Sequence, residues 1–378
     1  MQRSRPVPPP TRRTLVLGGV ALVLVGIAGW VTFEFDRIVA GPGRDAGAGP
    51  PVRDRSVERE RIDAAASRTR RSRADARSSE AAPLAEVFGD NYELPHPTPE
   101  QIAAFLAARG RSAANLVAAY HFTHDLALLR EAAAKDPGNA RVLLMLADKE
   151  ETPEAKHAAV IAFRQHHPDN SLGDYLLAAE EFAAGRTAEA IQALAAAATK
   201  GELDPGGRIN RELEAIHQFA GATPLVSRAL GMNDQTYVNL PVFRLSKQIR
   251  ECRDQASAAG DFQTATDLTR NGFLLAGRIR SGGSMLDTLA ADGVEGKLLK
   301  SLPPELVLEP GTPAVADRQA AIQADKEEIK ELAEMANKTL PQLNARDANT
   351  YFDLVESEGE LAAARWLRQR ESDAARPK

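Results

Sequence analysis

The 378-residue sequence predicts an all-α fold, an array of antiparallel helix hairpins (an α-solenoid) that follows a single transmembrane helix and a disordered linker. Three features carry this prediction. Thr14–Phe33 is a run of 20 residues without a charge; Gly41–Ala82 is dominated by Gly, Pro, Ala, Ser and Arg; and from Thr98 onward apolar residues recur at helical spacing, with no sustained strand alternation. The segments that follow are residues 1–13, short, basic and cytoplasmic; 14–33, the membrane helix; 34–97, the linker; 98–280, the repeat domain; 281–313, a loop-rich connector; and 314–378, C-terminal helices capping the array.

At a rise of ~1.5 Å per residue the apolar run matches the ~30 Å hydrocarbon core of a bilayer. Arg3, Arg5, Arg12 and Arg13 precede it, whereas Arg37 and Arg44 beyond it are offset by Glu34, Asp36 and Asp45. The positive-inside rule therefore puts the amino terminus in the cytoplasm and the rest of the chain outside a bacterial inner membrane, in the periplasm. Two other readings compete: a cleaved signal peptide, given the small residues at Gly26 and Ala28, and a twin-arginine export signal at Thr11–Val16. The run is long for a signal sequence and continues past the cleavable position, and no cofactor motif accompanies the arginine pair.

The linker holds too few large apolar groups to offset the entropy of ordering it. Its stretch from Arg53 to Arg77 has nine Arg against five acids, a net +4 that suits a solvated spacer, attraction to anionic lipid, or attraction to the acidic domain that follows. Pro83–Lys378 is the reverse, with 32 basic and 43 acidic residues and a net charge of −11. Such an acidic part disfavours nucleic acid, whose phosphates require an excess of Lys and Arg. A hydrophobic content of 43% with 26% charged residues also excludes a fully disordered chain and a many-pass membrane protein. The lone cysteine, Cys252, excludes an internal disulfide and any Cys-based zinc site.

Helix boundaries are written into the repeat domain. Thr98-Pro99-Glu100-Gln101 combines an N-cap, a first-turn proline and a capping-box glutamine, with Gly110 as the stop. Ser112 caps the next helix, Asp125–Lys135 and Arg141–Lys149 follow, and Thr152-Pro153-Glu154 starts another that ends at His167-Pro168. In Leu172–Lys200 the turn glycine Gly185 precedes Ala190 by five, with Leu194 and Ala197 beyond; in Cys252–Gly272, Gly260 and Ala265 keep that offset. On these residues the segment Asp125–Arg280 resembles the tetratricopeptide repeat (TPR), a helix–turn–helix unit of 34 residues. Arg253 stands where that family has a small residue, and Ala190 and Ala265 lie 75 residues apart, not at a clean double period.

The resemblance implies a binding groove lined by the first helix of each pair. Its positions fall on Leu172, Tyr175, Ala179 and Phe182 in one unit and on Lys247, Arg250, Asp254 and Ser257 in the other. Tyr175, Phe182, Lys247 and Arg250 are the candidate partner-binding residues, the rings holding a peptide segment and the cations a carboxylate. Core and solvated positions are the alternative reading of the same four.

No elbow serine, zinc-protease, EF-hand or phosphate-loop motif is present, so the expectation is a non-catalytic adaptor without a cofactor. The alternative, an envelope hydrolase or metal-dependent enzyme, places its site at His121/His124, with His157, His166 and His167 as further ligands, or within Ser281–Pro313. Cys252 reads as a small buried hydrophobe, and Glu180-Glu181 and Glu327-Glu328 as solvated pairs. Ala314–Asn337 carries Val315, Ile322, Ile329 and Ala336 at seven-residue spacing, which admits self-association, yet Arg318 and Asp325 interrupt the complementary positions. A single amphipathic helix over Asp347–Arg370 is expected to dock on it as a cap.

Overall fold

The computed structural model describes residues 84, 96–201, 203–206, 210–232, 239–300, 302–308 and 312–374. The expected membrane helix and nearly all of the linker lie outside the described residues. Among the described residues no helix is long and apolar enough to cross a membrane.

The described chain is helical throughout, with one isolated antiparallel bridge between Val307 and Ala314. In order, the helices are α1 (Pro99–Arg109), α2 (Ala113–Thr123), α3 (Leu126–Lys135), α4 (Ala140–Lys149), α5 (Pro153–His166), α6 (Leu172–Ala183), α7 (Thr187–Ala198), α8 (Asn210–Phe219), α9 (Pro224–Gly231), α10 (Asn239–Ala258), α11 (Phe262–Arg280), α12 (Met285–Leu299), α13 (Val315–Thr339), α14 (Ala345–Ser357) and α15 (Glu360–Ala374). Two compact units divide the chain. Pro95–Ala336 with Asn349–Lys378 forms the one that holds the sites below; of the other, the described part is Leu84 and Asn337–Ala348, with a 3-10 turn at Leu340–Gln342.

The predicted helix starts form as read, and Asn139 adds a cap that was not foreseen. Thr98 and Gln101 close a reciprocal capping box at α1, and Ser112, Asp125, Asn139 and Thr152 each accept a backbone N–H at the start of α2, α3, α4 and α5. Successive helices then pair as hairpins: α2 with α3, α4 with α5, α6 with α7, α8 with α9, α10 with α11. Gly185 and Gly260, with φ of 76° and 81°, supply the left-handed residue at the α6–α7 and α10–α11 turns. Both turns close with the same bonds, Gly185 N to Phe182 O and Arg186 N to Glu181 O in one, Gly260 N to Ser257 O and Asp261 N to Ala256 O in the other.

These two hairpins lie side by side, α6 against α10 and α7 against α11. The 75-residue offset between their small positions has a structural cause. The intervening α8–α9 hairpin leaves the stack and packs back through α8 on α1 and α2. Its own turn repeats the bonding pattern at Gly221, where Gly221 N meets Gln218 O and Ala222 N meets His217 O.

Two large apolar clusters among the described residues share α4, and a smaller one gathers Leu299, Val315 and Ile322. Val142 and Leu146 join α1, α2, α3 and α8, whereas Leu143 and Leu144 join α5–α7 and α10–α12. A helix reading ARVLLMLADK has apolar residues on both faces and so is buried on both. Each fully buried Leu or Phe contributes about 1.5–3 kcal/mol.

Two expectations about the C-terminal third are corrected. The connector 281–313 is not loop-rich throughout, because α12 occupies its middle; Ser284 and Asp287 form a capping box, and Met285, Val294, Leu298 and Leu299 are buried. The single helix expected over Asp347–Arg370 is two. Gly359, at φ 94°, breaks it, and a Cβ there would lie 2.6 Å from the Gly283 carbonyl oxygen.

Candidate interaction surface

Neighbouring helices carry the four predicted groove residues, Tyr175 and Phe182 on α6, Lys247 and Arg250 on α10. They do not line an open groove, because no residue of α6 from Leu172 to Phe182 is exposed. Helix α5 covers one side of α6 and α10 the other, while α7 lies behind. Polar contacts brace this burial: Arg164 Nε on α5 donates to Asp174 Oδ1 at 2.7 Å, Lys200 also pairs with Asp174, and Glu180 lies 2.8 Å from His157 Nδ1.

Tyr175 belongs to the core, only 1% exposed, and burial pushes its phenol above the ordinary range. Its hydroxyl accepts from Arg278 Nη1 at 2.8 Å, and the same guanidinium donates to the carbonyls of Ala197, Ala198 and Lys200. One arginine of α11 thus satisfies the C-terminal carbonyls of α7 and locks Tyr175 inside. Phe182 is half-buried against the main apolar cluster. Lys247 lies 3.8 Å from Glu251 in its own helix, and Arg250 is half-buried with its Nε shielded and without a hydrogen-bond partner. Of the other groove positions, Leu172 is buried, Ala179 half-buried, Asp254 exposed but paired with Arg253, and Ser257 exposed.

Arg253, the departure from the repeat pattern, is 2% exposed. Its guanidinium donates to the carbonyl of Leu298 near the end of α12 and holds Asp254 at 2.6 Å. A charge is tolerated there because a helix C-terminus presents unpaired carbonyls and a partial negative charge.

The two stacked hairpins leave to solvent a face of α7, at Ala188, Glu189, Gln192 and Ala195, and a larger one on α10 and α11. On α10 it presents Glu251, Asp254, Gln255 and Ser257; on α11, Phe262, Gln263, Thr266, Arg270 and Leu274. Phe262 is 70% exposed, the most open large apolar side chain among the described residues, and Leu274 is exposed as well. Twelve residues separate them, about 18 Å along the helix.

The histidines do not assemble a metal centre: among the described residues no group of three or more His, Cys, Asp or Glu is placed to hold a metal ion. His124 caps the end of α2 in the left-handed conformation, at φ 53°. His121 lies half-buried on α2, and burial pushes its imidazole toward the neutral form, with His124, Arg141 and His96 acting in the same direction. His157 is engaged by Glu180, His167 Nε2 donates to the Gly138 carbonyl at 2.8 Å, and His166 lies beside Gly138. These are separate jobs at helix ends and pairings. Cys252 is half-buried on the main core, and burial pushes its thiol up, away from a reactive thiolate.

The adjacent glutamates are ion-pair partners. Glu181 pairs with Arg186, and Glu328 accepts from Arg365 at 2.8 Å and Arg368 at 3.2 Å. A buried ionic group joining α11, α12 and α13 had no signature in the helical periodicity. Asp292, fully buried, accepts from Arg280 Nη2 at 2.6 Å, and Glu295 accepts from Arg318 at 2.7 Å. Burial raises the Asp292 carboxyl's affinity for its proton, opposed by Arg280. Arg318 also lies over the Phe273 ring at 4.1 Å. Arg318, one of the two charges that break the coiled-coil pattern of α13, therefore faces a matched charge on α12. The stripe Val315, Ile322, Ile329 and Ala336 is buried within the chain, so it offers nothing to a second copy while α13 stays packed.

No protein-family model, curated protein or solved structure matches the chain.

Proposed function

We propose that the chain is a membrane-anchored, non-catalytic scaffold with a TPR-like domain, held outside the cytoplasmic membrane by its N-terminal helix and binding a protein partner through α10 and α11. The observation that carries this reading is the pair of hairpins with identical glycine turns, stacked first helix on first and second on second. On these helices Phe262 and Leu274 are exposed, as are the polar residues Glu251 and Asp254 of α10 and Arg270 of α11. A large exposed ring on a helix whose other exposed positions are mostly polar suits a binding anchor. The anchor itself rests on Thr14–Phe33 and its flanking arginines.

The test is in-cell crosslinking from residues flanking Phe262, with identification of the attached protein. Phe262→Ser with Leu274→Ser should abolish that crosslink while far-ultraviolet circular dichroism stays unchanged. An unaltered crosslinked species would remove this surface from the proposal.

A further inference from the structure

His217 lies near the C-terminal end of α8, only 7% exposed, and its Nδ1 is sealed from solvent without a hydrogen-bond partner. Its ring meets Phe122 of α2 edge-on, with centroids 5.2 Å apart, and Phe122 in turn meets His121 at 5.4 Å. The seam around it is apolar: Leu213 and Ile216 of α8 against Phe105 of α1 and Leu116 and Val117 of α2. Charged and titratable groups reach the seam from each side. His96, ahead of α1, and His121 on α2 act on His217; His124 and Arg141 act on His121. On its own helix Glu214 is engaged by Gln218 and lies near Arg228 of α9, which binds Asp353 and Glu356 of α14. Neutral imidazoles suit this seam, whereas protonated ones place like charges beside one another in a desolvated contact.

We infer that the α8–α9 hairpin is an acid-released latch, docked on α1 and α2 while His217 is neutral and freed when His217 and His121 take up protons. Burial draws the His217 titration down to about 4 in the docked state. Against an ordinary value of ~6.5 when released, lowering the pH from 8 to 5 shifts the docking equilibrium about 30-fold toward release. Release uncovers Leu213, Ile216 and Phe105, an apolar strip absent from the closed surface.

Hydrogen exchange on the full chain in detergent tests this, with rates corrected for the intrinsic effect of pH. Amides of Leu213–His217 and Leu116–Tyr120 should exchange about 30-fold faster at pH 5 than at pH 8. Those of α6 and α7 should not change, and His217→Phe or His217→Gln should remove the local acceleration. Equal exchange at both pH values, or the same acceleration in both variants, overturns the latch. Should both variants misfold, nuclear magnetic resonance titration of the wild-type imidazole decides: titration of His217 below pH 5 supports the latch, and at pH 6 or above refutes it.

Discussion

Two glycines in the described helices differ in what a methyl group would meet. At Gly231, which ends α9, a Cβ would lie 2.7 Å from the Asn210 carbonyl oxygen and 3.1 Å from the Glu214 amide nitrogen, both fixed backbone of α8. Gly231→Ala should therefore force the α8–α9 hairpin apart and cost about 1–3 kcal/mol in urea unfolding. Gly277 on α11 has nothing within 4 Å of the same added atom. Gly277→Ala should instead raise stability by about 0.5–1 kcal/mol, since alanine loses less backbone entropy in a helix. Their opposite signs come from packing, which neither residue's sequence context reveals. The same holds for Tyr175: its spacing marks a groove, but only the arrival of Arg278 from 103 positions away seals it in the core.

At the scale of the element, local sequence was a good guide wherever a helix end is fixed by its neighbours in the chain. Thr98-Pro99-Glu100-Gln101, Ser112, Asp125 and Thr152 all cap as read, because a cap bonds within three residues. Gly221 and Gly359 escaped notice as turns; α8 is short, and the Glu358-Gly359 break interrupts a run that otherwise keeps helical spacing. Arg253 and the Asp292–Arg280 and Glu295–Arg318 pairs sit where a periodicity reading expects apolar or small residues, and their partners are on other helices. Arg253→Ala should loosen α10 from α12, with a stability loss of about 2–4 kcal/mol by chemical denaturation, since it removes packed methylenes and leaves the Leu298 carbonyl unpaired. Arg253→Met, which keeps the stem but not the donor, should recover only part of that loss.

For the whole molecule, the proposed orientation in the membrane rests on the four arginines ahead of Thr14. Replacing Arg3, Arg5, Arg12 and Arg13 with Glu should leave a fraction of the chains inverted, measured as protection of the helical domain from protease added to spheroplasts; unchanged accessibility would count against the anchor. The acid response of stability also belongs at this scale. With His217 drawn down to about 4 by burial, the stability it supports is complete above the ordinary value near 6.5 and declines as pH falls from there toward 4. The loss reaches about 3 kcal/mol once the folded form is protonated, and His217→Gln should flatten that part of a pH–melting profile.

Read alone, the chain revealed that this domain is helical, where its first five helices begin, and which glycines turn two of its hairpins, because those features depend on bonds between residues a few positions apart. Which helices are neighbours was decided by the tertiary structure alone. The return of α8–α9 onto α1 and α2, the sheathing of α6, the exposure of Phe262 and the isolation of His217 all arise from contacts between distant segments. Apolar side chains specify that they will be buried, not against which partner, since the hydrophobic effect has no direction until shapes and charges on the facing helices select one packing.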